Sequence, residues 1–331
     1  MYKHGSPIVS VVVGAYNEEE TIADTIQSIL GQTFSDFEIL VVDDGSTDDT
    51  QRIVRSFDDQ RVNLIVNETN IGLPRSLNRG ISQAKGTYIA RIDADERSLP
   101  TRLERQVNVL EVREDVQVVG CWYQVIGRDG ERIVDIEIPA ERPFDIDDLL
   151  KEGPGIAHGS VMMRKEAVDT VGKYREQFTL AQDYDLWFRM AEEFGPGFVH
   201  VVPEVLYERR LSADQMAKRS KQRLFTSFAK RGARRRRNGK NEDLAELERK
   251  AQQMSTRNFT ENERESMYHY LAGVQLLSGG DNSAARRRFL LAVKAAPTNV
   301  RPWYRLFLSC LSDDRRNKVK NTVQTVLDRK V

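Results

Sequence analysis

The feature that most constrains this chain is the pattern over residues 8–95. Short apolar runs rich in β-branched residues alternate there with amphipathic stretches, and the runs end in acids or amides. Ile8–Val13 is such a run, closed by Gly14, and it reads as a strand buried on both faces. A helical stretch follows with Ile22, Ile26, Ile29 and Leu30 on one side. Phe37–Val42 is a second buried strand, leading into Asp43-Asp44-Gly45-Ser46-Thr47-Asp48, where Asp44, Ser46 or Asp48 can cap the helix through Ile53 and Val54. Val62–Val66 is a strand, Pro74–Ala84 a helix, and Tyr88–Ile92 a strand ending at Asp93-Ala94-Asp95. Strand, loop and helix in this order predict a parallel sheet with helices on both faces. Ligands of such sheets bind beyond the carboxyl ends of the strands. Asn17, Asp43, Asp44, Asp93 and Asp95 all fall at those ends.

Beyond residue 100 the alternation loosens. Val116–Ile126 and Arg132–Ile138 read as antiparallel strands around Arg128-Asp129-Gly130, Val161–Arg164 as a short strand, Asp183–Glu193 as a helix, and Phe198–Val202 as the last strand. The domain is expected to end near residue 215. Residues 218–240 hold eleven Lys or Arg and no Asp or Glu, so the chain's balance of 50 basic and 50 acidic residues conceals a strongly basic segment. Leu224, Phe225 and Phe228 lie in it at helical spacing. From about 241 the pattern is helical. Gly273, Ala285, Phe289, Ala292 and Pro297 stand at the spacing of a 34-residue tetratricopeptide repeat, and Trp303 and Leu306 begin the next. The predicted organisation is therefore 1–215, an α/β domain; 216–240, basic amphipathic helix or linker; and 241–331, a helical, repeat-like region.

Composition excludes several classes. Cys121 and Cys310 cannot build a disulfide framework or a four-cysteine zinc site. The N-terminal residues carry no apolar signal core, and no run is long enough to cross a membrane. The expected location is the cytoplasm. No G-x-G-x-x-G follows the first strand and no Walker A sequence occurs, which disfavours nicotinamide dehydrogenases and P-loop NTPases.

The chemistry concentrates at the strand ends. Asp93 and Asp95 lie one residue apart, so both carboxylates can turn to one ligand. Hard cations such as Mg²⁺ take one or two carboxylates together with phosphate oxygens, and a metal there would stabilise a departing diphosphate. Either Asp43 or Asp44 can accept a hydrogen bond from a base or ribose. In Ala15-Tyr16-Asn17-Glu18-Glu19, Tyr16 can stack on a base and Asn17 can hydrogen-bond it; a capped helix start accounts for the same residues.

These pieces together resemble family 2 glycosyltransferases of the GT-A fold. The matching segments are VSVVVGAYNEEETI, SILGQTFSDFEILVVDDGSTD, NIGLPRSLNRGI, AKGTYIARIDADE, P-x-RLERQ, HGSVMMRKEAVDTVGKY and QDYDLWFRMAE, in the family's order between residues 8 and 210. The resemblance implies a Rossmann-like, mostly parallel α/β sheet with an all-α extension. It implies inverting transfer from a UDP- or GDP-linked sugar, with Mn²⁺ or Mg²⁺ as cofactor. Ala15, Tyr16, Asn17, Glu19, Asp44 and Asp93 then belong to the nucleotide site, and Asp95 with Asp93 to the metal. Asp183 matches the family's catalytic base, taking the acceptor proton. Asp185 is a lower-ranked alternative, and capping of the following helix is the plain structural account of Asp183. Gln182 stands where the family usually has Glu. His158, Gln182 and Arg209 are candidate contacts to acceptor or diphosphate.

The expected acceptor is a lipid-linked glycan, a surface polysaccharide precursor or a protein. The basic segment is read as a solvated helix face or as a surface for anionic lipid; Leu224, Phe225 and Phe228 fit an interfacial helix and equally fit packing against the carboxyl-terminal helices. Nucleic acid is not an expected partner, and the short repeat is compatible with a homodimer. The competing reading is a degenerate, non-catalytic scaffold that recruits partners through its tail; the intact Asp44, Asp93, Asp95 and Asp183 argue against it.

Overall fold

A computed structural model of the chain describes residues 5–139, 142–254 and 258–311. Residues 312–331 of the expected helical region lie outside the described residues. The amino-terminal half is built as the alternation predicts. β1 (Val9–Ala15), α1 (Ile22–Leu30), β2 (Phe37–Asp43), α2 (Thr50–Arg55), β3 (Val62–Val66), α3 (Leu73–Gln83) and β4 (Tyr88–Asp93) follow one another. β1 and β2 are buried along almost their whole length, as strands covered on both faces are. β1 pairs in parallel with β2 and β4, and β2 with β3. The register sets Ala15 beside Asp43 and Gly14 beside Asp93. Three carboxyl ends are thereby level, and the loops that leave them share one rim.

The second half adds β5 (Arg97–Ser98), α4 (Arg102–Val112), β6 (Val118–Ile126), β7 (Arg132–Ile136) and α5 (Ile146–Glu152). A 3-10 turn at His158–Ser160 leads into β8 (Met162–Arg164), α6 (Lys165–Thr170), α7 (Gln182–Phe194) and β9 (Val199–Arg210). Among the described residues the sheet runs β3-β2-β1-β4-β8-β6-β9-β5, with β7 beside β6. β8 is antiparallel to β4 and β6, and β5 to β9. The class is the expected one, α/β with a helical carboxyl-terminal region.

β9 is longer than the apolar run Phe198–Val202 suggests. Pro203 and Glu204 end the run, but Pro203 lies ahead of the stretch that pairs with β5, Tyr207 and Glu208, so its missing N–H removes no bond from that ladder. The extension matters because it brings Tyr207, Arg209 and Arg210 to the rim that holds Asp93.

The chain then forms α8 (Asp214–Arg237), α9 (Leu244–Gln253), α10 (Glu261–Ser278), α11 (Asn282–Ala295) and α12 (Val300–Ser309). Two compact units result. Among the described residues, one holds those of 5–124, 135–210 and 220–254; the other holds 125–134, 211–219 and 258–311. In the first, the apolar side of α8 is turned inward: Phe225, Phe228, Ala229 and Ala233 are buried, and Phe225 meets Phe178 edge-on at 6.2 Å. This corrects the reading of Phe225 and Phe228 as membrane-interfacial side chains. The basic face is also partly neutralised, by Arg231 with Glu246, Arg236 with Glu192 and Glu242, and Arg237 with Asp147. In the second unit α10 opens with a capping box between Thr260 and Glu263. The expected repeat positions Ala285, Phe289 and Ala292 are fully buried there. No helix among the described residues is long and apolar enough to cross a membrane.

Candidate active site

The loops after β1 and β2 are laced to each other. Asn17, in the left-handed region at φ 56°, accepts from the Thr47 amide at 2.8 Å and donates its own amide to Ser46 Oγ at 2.9 Å. Glu19 accepts from the Asp49 amide at 2.9 Å, and the Ala15 carbonyl accepts from the Asp44 amide at 2.8 Å. Asn17 and Glu19 thus serve as loop supports, while Tyr16 stands 45% exposed at the tip. Asp44 is buried and accepts from Asn67 Nδ2, the Ile71 amide and the Gly72 amide at 2.8–2.9 Å. It fixes the loop ahead of α3, with one of its oxygens engaged by a single donor. Gly45 sits at φ 74°, and a Cβ there would meet the Thr69 and Asn70 backbone at 2.7–3.0 Å. None of the three cap candidates is the N-cap of α2, which is Asp49 and makes no side-chain cap bond; Asp48 takes the Thr50 amide at 3.0 Å, and Asp44 and Ser46 are committed to the loops.

Asp93 closes β4 and pairs with Arg91 of the same strand. Burial pushes its carboxyl up, but the Arg91 guanidinium outweighs burial and leaves it below the usual carboxylate range. Asp95 has the opposite balance: burial, then the charge of Asp93, push it up to about 6. Glu18 is pushed to about 7 by burial and by Asp95, against a hydrogen bond from Thr21. Glu96 is buried, lies well above its ordinary value through burial and the charges of Asp93 and Asp95, and accepts from the Tyr207 hydroxyl. A Cβ on Gly159 would overlap that Tyr207 oxygen and come within 2.7 Å of Glu96, so this approach requires glycine. Arg209 Nε is 3.9 Å from Glu96, and Arg210 Nε donates to the Asp95 carbonyl at 3.0 Å.

Carboxylates thus outnumber cations at this rim, and three of them, Glu18, Asp95 and Glu96, are driven toward proton uptake. A hard divalent cation would relieve that repulsion, and the oxygen donors match its chemistry. Among the described residues no three His, Cys, Asp or Glu form a ready-made cage. That fits an ion held by one or two carboxylates and completed by substrate phosphates.

α7 starts at Gln182 after Ala181, which takes a left-handed conformation at φ 52°. Asp183, in its first turn, is raised by burial, against the Tyr184 backbone amide and the charge of Arg91; Asp93 raises it further. Gln182 is buried. His158 Nε2 lies 2.7 Å from the Tyr174 hydroxyl, and its ring packs edge-on to Trp187. Burial and then Arg91 hold it well below its ordinary value, which favours the neutral imidazole. Asp185 is fully buried between Arg175 and Arg189, which removes it as an alternative base.

The strand-end residues therefore form two groups. Tyr16, Asn17, Glu19 and Asp44 shape one loop pair. Asp93, Asp95, Asp183 and His158 all feel the charge of Arg91, and Arg209 joins them through Glu96 and Asp93. Glu18, Arg91, Glu96 and Tyr207 were missed from sequence. Glu18 was the neighbour of the residue chosen, and Arg91 could have been found by strand period, two residues ahead of Asp93.

Comparison with known proteins gives a consistent family. A family model described as Glycosyl transferase family 2 matches residues 10–172. A relative from Bacillus subtilis (strain 168), provisionally named glycosyltransferase EpsE, is 39% identical over 66% of this chain and 78% of its own. The uncharacterized glycosyltransferase MJ1057 of Methanocaldococcus jannaschii is 30% identical over 67% of this chain and 78% of its own. Two solved structures share the fold. The mannosyltransferase PcManGT of Pyrobaculum calidifontis, in complex with GDP-Man and Mn²⁺, has a TM-score of 0.53 at 20% identity, over 91% of this chain and 79% of that one. TarS 1–349 of S. aureus, in complex with UDP, has a TM-score of 0.51 at 18% identity, over 91% and 89%.

Proposed function

The chain belongs to glycosyltransferase family 2, and from that premise we propose that it catalyses metal-assisted, inverting transfer of a sugar from a UDP- or GDP-linked donor to a hydroxyl of a glycan, glycolipid or glycoprotein acceptor. Tyr16 is assigned to stacking on the base, with Ala15, Asn17, Glu19 and Asp44 shaping its loop. Asp95 and Asp93 are assigned to Mn²⁺ or Mg²⁺, which when bound would neutralise the departing diphosphate. Asp183 takes the acceptor proton as the hydroxyl attacks the anomeric carbon; such base assistance is worth about 10²–10⁴-fold. Arg209 and Gln182 border the diphosphate and acceptor side, and His158 supports that side as a neutral hydrogen-bonding group.

The observation that carries this reading is the shared field of Asp93 and Asp183. The first residue closes β4 and the second opens α7, yet Arg91 and Asp93 both act on Asp183. A base and a diphosphate site in one field is what single displacement needs.

Transfer is assigned to residues 1–215, with 216–240 as a packed basic helix and 241–331 as a helical adaptor. The reaction is placed in the cytoplasm, and contact with anionic lipid, where it occurs, is electrostatic. A panel of nucleotide sugars including UDP-N-acetylglucosamine and GDP-mannose, each with Mn²⁺ or Mg²⁺, tests the proposal through release of UDP or GDP and through thermal shift. Metal-dependent release from one donor supports it; equal release with chelator present overturns the metal assignment.

A further inference from the structure

Arg91 lies on β4 two residues before Asp93, so strand period puts both side chains on one face. Its side chain is 2% exposed. Nη2 meets the Asp93 carboxylate, while Nε and Nη1 are buried with no hydrogen-bond partner among the described residues. Unpaired buried donors are costly. The fold is able to satisfy such a group: Arg102, equally buried, donates to Ser98, Gln106 and the carbonyls of Arg91 and Val161. A buried ion pair kept only for stability is often replaceable by apolar residues of similar volume. The incomplete pairing of Arg91 therefore points to a role in the site rather than in packing.

Its surroundings agree. The charge of Arg91 acts on Asp93 of its own strand, His158 of the 3-10 turn, Tyr174 ahead of α7, Asp183 of α7 and Tyr207 of β9.

We propose that Arg91 is the positioning residue of the transfer site: from inside the sheet it fixes Asp93 toward the donor side and supplies positive charge to the Asp183 side. The second half of this inference rests on Asp183 being the base. The groups acting on Asp183 are Arg91 and Asp93 from β4, Tyr174 from the preceding loop, and Tyr184 from α7. Burial favours the neutral acid, and Arg91 opposes it. Loss of Arg91 must then raise the pH at which the base becomes available.

The test uses Arg91→Met, Arg91→Lys and Asp183→Asn in the full chain, with the nucleotide sugar of the above panel that the wild type turns over. Nucleotide release is followed across pH, and melting temperature is read with Mn²⁺ alone. Arg91→Met is expected to lower turnover at least about tenfold and to move the acidic limb up by about one unit or more. Mn²⁺ should stabilise it less than the wild type, because Asp93 loses the partner that orients it. Arg91→Lys should keep the limb in place while turnover stays reduced, since charge returns without the planar fork. Wild-type turnover and limb in Arg91→Met would overturn the proposal. So would a limb that moves as far with Lys as with Met, or Mn²⁺ stabilisation equal to that of the wild type. If Arg91→Met does not fold, Arg91→Lys decides: full turnover overturns the proposal, and reduced turnover with an unmoved limb supports it. Activity retained in Asp183→Asn but lost in Arg91→Met would overturn the base assignment alone; the reverse would overturn the role of Arg91 alone.

Discussion

Asp183 and Asp185 sit two residues apart on α7 in opposite environments. Asp185 is fully buried between the guanidinium groups of Arg175 and Arg189, and Arg175 continues to Glu242 at 2.9 Å. Asp183 is half-buried and forms no salt bridge among the described residues. One acid is held between two cations, and the other carries no salt bridge among the described residues. Asp185→Asn leaves two buried cations short of a partner, and breaking such a pair costs about 3–5 kcal/mol. A large drop in denaturation midpoint is the expected result, and an unchanged midpoint would contradict the structural role.

The acid-rich rim predicts how stability follows pH. Glu18 at about 7 and Asp95 at about 6 lie above their ordinary values. A carboxyl raised by folding adds stability that is complete below its unfolded pKa and is lost as pH rises through the folded one. The metal-free chain should therefore melt at a lower temperature at about pH 8 than at about pH 5 on account of these groups. Mn²⁺ should restore more at the higher pH, and Glu18→Gln should flatten the profile of the metal-free protein. A stabilisation by Mn²⁺ independent of pH would contradict this account.

Gly159 permits the contact of Glu96 with Tyr207. Gly159→Ala places a Cβ against the Tyr207 hydroxyl and Glu96, and overpacking of this kind costs about 1–3 kcal/mol. Because Glu96 follows Asp95 directly, the expected signature is weaker Mn²⁺ stabilisation as well as a lower melting temperature. Loss of stability with metal response intact would limit the role of Gly159 to packing.

Much of this was legible in the sequence because β1 to β4 obey one local rule: a buried apolar run, then a polar loop. The rim acids Asp43, Asp44, Asp93 and Asp95 came with it, since their places depend only on where the strands end. Residues whose role depends on partners distant in the chain were not legible. Tyr207 reaches Glu96 across 111 positions, on a strand whose outer half is masked by Pro203. Asp44 reads as an open acceptor, but its donors come from the loop at 67–72. Phe225 and Phe228 read equally as core or as membrane face, because helical spacing records an apolar side without saying what covers it.

That ambiguity has its own test. Phe225 is buried against Phe178, so Phe225→Ala should destabilise the fold by about 3–5 kcal/mol. The cationic side of α8, including Lys218, Arg223 and Arg234, stays exposed. Any binding to anionic vesicles should therefore vanish at high salt. Salt-resistant binding would restore the interfacial reading of the helix.

The central claim is that Asp183 moves the acceptor proton while other residues hold the donor. The most direct measurement is the binding of Mn²⁺ with UDP or GDP, set beside sugar turnover, in Asp183→Asn. The account predicts affinity and melting temperature close to wild type, with turnover reduced by about 10²-fold or more. Wild-type turnover in that variant would contradict it.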